Sequence, residues 1–169
     1  MRKWLISFAV LLLMGCSNSQ GHWAALSPPS PVVTMTESDV VYYYDADVIA
    51  LEPLLYPYIV QRGDNSWLRL RVAIADSEWI TGALVLVDGK RHPLSIVGVY
   101  PNDRLEWIDL YATSADIDMV KDLAFSSECA VELIQIDENV ISFPLTDTEK
   151  SIALRTLALF ERMGHDLGR

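Results

Sequence analysis

Two cysteines in 169 residues are too few for a disulfide framework. Three histidines, His22, His92 and His165, are scattered along the chain and no two stand at metal-ligand spacing, which argues against a zinc site. No glycine lies between Gly21 and Gly63, so the acidic residues Asp39, Asp45, Asp47 and Glu52 lack the tight glycine turn a calcium loop wants. Basic residues are also in short supply, 13 against 23 acidic, for a formal charge of −10. That balance excludes phosphate recognition by clustered Lys and Arg, and with it a nucleic-acid partner. It equally excludes docking on anionic lipid through a basic patch. There is no Gly-x-Ser-x-Gly elbow, His-Glu-x-x-His pair, phosphate loop or dinucleotide fingerprint. No cofactor and no metal is expected.

What is present begins at the N-terminus. Arg2 and Lys3 precede an apolar run from Leu5 to Met14, and Leu13-Met14-Gly15-Cys16 closes it. A charged start, a short apolar stretch and small residues at a cleavage point make a secretory signal. The run is half the roughly 20 apolar residues a membrane-spanning helix needs. The closing tetrapeptide resembles the lipobox of bacterial lipoproteins, with Met14 a departure from the small residue more usual at the second place. The resemblance implies cleavage before Cys16 and a diacylglycerol on its thiol. Ser17 stands where an aspartate would resemble the inner-membrane retention signal, so the expected address is the outer membrane, lipid-anchored and facing the periplasm. Loss of Arg2 and Lys3 with the signal makes the charge balance more negative still.

Three segments follow: a signal peptide over 1–15, a lipidated cysteine and Pro/Ser tether over 16–31, and one globular domain over 32–169. Ser27-Pro28-Pro29-Ser30-Pro31 cannot join a helix and reads as an extended spacer, with His22 and Trp23 inside it. A domain of this size holds a core without staples. Cys129, the other cysteine, sits in an apolar strand-like run beside Glu128 and reads as a buried small hydrophobe rather than a reactive thiol.

From Val32 the pattern is mainly β. Strands are expected over Val32–Thr36, Val40–Val48, Leu55–Arg62, Trp67–Ile74, Trp79–Val87, Lys90–Val97 and Arg104–Tyr111. Pro57 and its neighbour Pro53 argue for a sheet edge or loop at the start of the third. Trp79–Val87, the most continuously apolar, should be central. Asp88-Gly89 marks a two-residue hairpin. Thr113 or Ser114 caps a short helix running to about Phe125. Cys129–Ile136 and Val140–Leu145 form a second hairpin. Thr146-Asp147-Thr148-Glu149 opens a helix by a capping box, and Gly164 ends it. The apolar stripe of Ala153, Leu157 and Phe160 packs on a sheet. The expected class is mainly β (α+β): an antiparallel β-sandwich or curled sheet, with one short helix and a C-terminal helix packed on it. Over Ile141–Leu157 this order is loosely similar to small β-sandwich envelope proteins such as the invasion-associated locus B family, where a late hairpin also leads into a terminal helix. The likeness transfers no residue.

Tyr42-Tyr43-Tyr44 supplies the candidate binding surface. In a strand Tyr42 and Tyr44 share a face and Tyr43 opposes them. With Asp45 and Asp47 beside them, they form a candidate site for a protein partner or for stacking sugar rings. His92 with Asp88 is the one candidate general-base pair. The leading functional expectation is a non-enzymatic binding or accessory subunit of an envelope assembly, held to the membrane by the lipid on Cys16. A carbohydrate- or peptidoglycan-binding module is the alternative, and an envelope hydrolase centred on His92 the second alternative.

Overall fold

The computed structural model describes residues 31–74, 80–95, 106–135 and 137–167. Cys16, His22, Trp23 and Trp79 lie outside them. Among the described residues the strands are β1 (Val32–Glu37), β2 (Val40–Asp45), β3 (Leu55–Arg62), β4 (Asn65–Ile74), β5 (Ile80–Val87), β6 (Lys90–Leu94), β7 (Glu106–Tyr111), β8 (Cys129–Gln135) and β9 (Val140–Pro144). The helices are α1 (Ala46–Leu51), α2 (Ser114–Phe125) and α3 (Asp147–Arg162). Two antiparallel sheets result, one ordered β1-β2-β3-β4-β7 and the other β6-β5-β8-β9. The α+β class is as expected, with two sheets and with helices packed against them. None of the helices described is long and apolar enough to cross a membrane.

Several elements follow directly from local chemistry. Asp88 and Gly89 take φ of 46° and 82°, the positive values that a type I′ hairpin turn demands. β5 is central in its sheet, as its continuous apolar run requires. Thr113 caps α2 and Thr146 caps α3, each by a reciprocal capping box. Gly164, at φ 99°, ends the last helix in a conformation that favours glycine.

One expectation is corrected. The strand expected over Val40–Val48 stops at Asp45, and α1 begins there. Asp45 is its N-cap, accepting from the Asp47 amide at 3.0 Å, so the carboxylate that looked like part of a strand edge instead starts a helix. The start of β3 is a sheet edge on one side, as expected, although β3 as a whole lies inside the sheet. β2 pairs with β3 only as far as Tyr43 opposite Ile59, then turns away into α1. Pro57 therefore lies beyond the end of that ladder, while still opposite Leu70 on β4. Its carbonyl accepts from Thr156 Oγ1 on α3 at 3.4 Å. In a strand the N and O of one residue point to the same side, so the missing N–H falls on the helix side and costs no ladder bond.

The first sheet has two unlike faces. One carries Leu55, Ile59, Leu68, Leu70, Val72, Ile108 and Leu110. These share one core with Val85, Val131 and Leu133 of the second sheet and with Leu123 and Leu157 of the helices. α3 lies on β3 and β2, and α2 packs on α3 and reaches β5 and β6. Cys129 is buried in this core. The opposite face carries the aromatic and arginine residues described next.

Candidate aromatic and arginine face

Registers between β2, β3, β4 and β7 bring Tyr42, Tyr44, Tyr56, Tyr58, Trp67, Arg69, Arg71, Trp107, Asp109 and Tyr111 to one face of the first sheet. Tyr42 and Tyr44 stack with ring centroids 6.4 Å apart, and Tyr44 stacks on Tyr58 at 5.0 Å. Tyr43 opposes them, as expected, and donates to Gln61 Oε1 at 2.5 Å. Tyr44, however, is buried, within a small apolar cluster of Val48, Tyr56, Tyr58, Val60 and Ile152. Tyr42 packs against that cluster. The two tyrosines thus do not form an exposed pair. Burial pushes the Tyr44 hydroxyl up to about 12, and raises Tyr56 and Tyr58 as well, the nearby Asp109 charge adding to the effect on Tyr58.

The acidic residues beside them are already engaged. Arg155 on α3 donates from Nε to Asp45 Oδ2 at 2.6 Å and from Nη2 to Asp45 Oδ1 at 2.8 Å. The same Nη2 reaches Asp47 Oδ2 at 2.6 Å. These contacts raise the Arg155 pKa, led by the hydrogen bond to Asp45. Asp39 pairs instead with Arg62 at 2.6 Å. Three of the four acidic residues that the sequence groups together are thus divided between two arginines, and no group of metal-ligating side chains forms among the described residues.

A different constellation lies further across the sheet. Asp109 on β7 sits between Arg69 and Arg71 of β4. Arg69 Nε donates to Oδ1 at 2.9 Å; Arg71 donates to Oδ2 from Nε at 3.1 Å and from Nη2 at 2.5 Å. The Tyr58 hydroxyl donates to the same carboxylate at 2.7 Å. Each guanidinium also lies over rings: Arg69 over Tyr111 at 4.2 Å, Arg71 over Tyr58 at 5.1 Å and over Trp107 at 5.5 Å. Desolvation works against the charge of both arginines, but Asp109 and the tyrosines outweigh it and raise both pKa values. The arrangement is a preset pair of planar cations around one anion. The sequence held one signal for it: Arg69 and Arg71 alternate with the buried Leu68, Leu70 and Val72, so both must share the opposite face. Nothing in the sequence places Asp109 opposite Arg71.

A second feature is an open cleft of about 480 Å³ past the end of β7, lined by Ser66, Trp67, Leu68, Ala112, Ser114, Ile117, Asp118, Lys121, Phe160, His165, Asp166 and Leu167. Within it His165 Nε2 lies 2.6 Å from Ser66 Oγ, and its ring stacks on Phe160 at 3.8 Å. Burial lowers the His165 pKa, which favours the neutral imidazole. The cleft places a hydroxyl beside a neutral base.

His92 does not meet Asp88. The Asp88 carboxylate accepts from the Ser127 and Glu128 amides, both at 2.9 Å, and so braces the loop before β8. Desolvation first, then Lys90, lowers the His92 pKa; the carboxylates that oppose this are Asp122 and Asp116 on α2. Its Nε2 is buried without a hydrogen-bond partner. No family model, no curated protein and no solved structure matches this chain.

Proposed function

We propose that this chain is a periplasm-facing lipoprotein of the outer membrane, anchored through Cys16, whose folded domain is a non-enzymatic binding or accessory subunit of an envelope assembly. The lipobox-like Leu13-Met14-Gly15-Cys16 and the proline-rich spacer before Val32 support the anchor and the tether. The observation that carries the binding reading is the fixed Arg69–Asp109–Arg71 group among Tyr58, Trp107 and Tyr111. Rigid aromatic and arginine side chains dominate recognition surfaces because they give contact area and directed hydrogen bonds at low entropic cost. A glycan-stacking platform is less supported, since Tyr44 is buried.

The test combines fatty-acid labelling, membrane fractionation and crosslinking in living cells, with Cys16→Ser as the control. Labelled wild type in the outer-membrane fraction, crosslinked in fixed ratio to one envelope protein and lost on Cys16→Ser, is the expected result. Turnover of an envelope substrate by the purified mature protein, abolished by substitutions in the cleft, would replace this reading with an enzymatic one.

A further inference from the structure

Resting on the binding-subunit reading, we propose that the outer side of Arg69 and Arg71 receives a single carboxylate presented by a protein partner, with Tyr111 and Trp107 flanking it. Two guanidiniums share one carboxylate here, leaving one positive charge over in a protein whose overall charge is −10. Asp109 is fully used, since it accepts from both arginines and from Tyr58. Arg69 is not. Its bond to Asp109 uses Nε alone, and its side chain keeps about a fifth of its surface exposed. The Nη groups are therefore oriented by Asp109 from behind and by the Tyr111 ring alongside, with their fork free to take a carboxylate at two points. Tyr111 is 64% exposed, so this end of the group is reached from solvent.

Charge decides the kind of anion. A polyanion or an acidic run would meet repulsion from the rest of this surface. One carboxylate beside apolar side chains meets the local surplus instead. A protein segment also fits better than an acidic glycan. Sugar stacking wants a free aromatic platform, and here Arg69 already lies over Tyr111, while Tyr44 and Tyr58 are buried.

The experiment places a photo-crosslinking amino acid at Tyr111 of the full lipid-anchored chain in living cells and sequences the crosslinked peptide. A parallel series places it at Phe125 and Val140, two exposed positions away from this face. The expected product at position 111 is an envelope-protein peptide with Asp, Glu or a C-terminal carboxylate within two residues of the link. Its yield should fall at least tenfold with Arg69→Gln and only partly with Arg69→Lys, with thermal unfolding showing both variants folded. If Arg69→Gln unfolds the chain, Arg69→Lys alone carries the comparison, and an unchanged yield then overturns the inference. A peptide lacking a carboxylate, a yield insensitive to Arg69→Gln, or a cell-wall glycan at position 111 also overturns it. Crosslinks at Phe125 or Val140 but none at 111 overturn this inference and leave the binding-subunit reading standing. No crosslink at any position removes both.

Discussion

Arg155 and Asp45, 110 residues apart in the chain, meet in a two-point ion pair at 2.6 and 2.8 Å. The Asp45 side chain is 3% exposed there, and Arg155 19%. With the Asp45 cap and the packing of Val48 in one buried cluster with Ile152, the pair fixes the end of β2 and the start of α1 against α3, so that a six-residue helix persists although isolated helices that short are unstable in water. Arg155→Met should therefore leave a buried carboxylate without its cation and cost about 3 kcal/mol. Asp47→Ala removes only the outer contact, where the carboxylate is 45% exposed, and should cost less than about 1 kcal/mol. Urea unfolding at pH 7 separates the two; equal costs would mean that the inner pair does not hold α1.

The Asp109 group predicts an ordering rather than one value. Asp109→Ala leaves two half-buried guanidiniums facing each other and deprives Tyr58 of its acceptor, for a loss of about 3 kcal/mol. Arg69→Met leaves Asp109 with Arg71 and Tyr58 and should cost about 1.5–2 kcal/mol, the lower end of what one hydrogen bond to a charged group is worth. Shifts in urea midpoint would reveal the order. Arg69→Met as damaging as Asp109→Ala would show that the ring contact of Arg69 with Tyr111, not the shared carboxylate, organises this face.

Most of the fold was legible because its signals are local. The limits of β3, the Asp88-Gly89 turn, the Thr113 cap and the Thr146–Glu149 capping box depend on residues within a few positions of one another. α1 was not legible, because Val48 and Ile49 are β-branched and extend the tyrosine run as if it were one strand. Its cause is the Asp45 cap and an arginine 110 residues away. Pro57 pointed correctly to the start of β3, which has no β2 partner; that β2 joins β3 further along is set by where β2 turns into α1. Tyr42 and Tyr44 share a face, as the alternation required, but the burial of Tyr44 is decided by Val48, Tyr58 and Ile152, which no spacing within residues 42–47 encodes. The arginine group needed the β4–β7 register, which joins residues 40 positions apart.

Stability should fall in alkali from about pH 10. Burial holds the Tyr44 hydroxyl at about 12 in the folded chain and raises Tyr56 and Tyr58, against about 10 when unfolded. Between these values the unfolded chain has released protons that the folded chain keeps. The stabilisation is complete below pH 10 and is lost as pH rises through the folded values. Each such tyrosine contributes a slope of up to about 1.4 kcal/mol per pH unit. Tyr44→Phe should flatten the urea-derived profile between pH 10 and 12. The part of the tyrosinate absorbance that Tyr44→Phe removes should appear only together with loss of the folded circular-dichroism signal. Its appearance on a protein that is still folded would show that the Tyr44 ring is open to water.

The two capping boxes should differ in worth because one carboxylate does a second task. At α2, Asp116 accepts from the Thr113 amide at 2.8 Å at an exposed helix end. At α3, Glu149 is buried. Its Oε2 accepts from the Thr146 amide at 2.9 Å while its Oε1 accepts from the Leu54 amide at 3.2 Å, just before β3. Asp116→Ala removes the returning half of the capping box, leaves the Thr113 cap and should cost about 0.5–1 kcal/mol. Glu149→Ala removes the same half of the box, leaving the Thr146 cap, and also strands a part-buried amide of the segment leading into the sheet, and should cost about 2–3 kcal/mol. Glu149→Gln keeps an acceptor for one of the two amides and should fall between them. Hydrogen exchange at Leu54 gives the direct readout: its amide should exchange faster in Glu149→Ala and be unaffected in Asp116→Ala. Unchanged protection at Leu54 would mean that α3 is held on β3 without Glu149, by the apolar face through Ala153 and Leu157 and by the Thr156–Pro57 hydrogen bond.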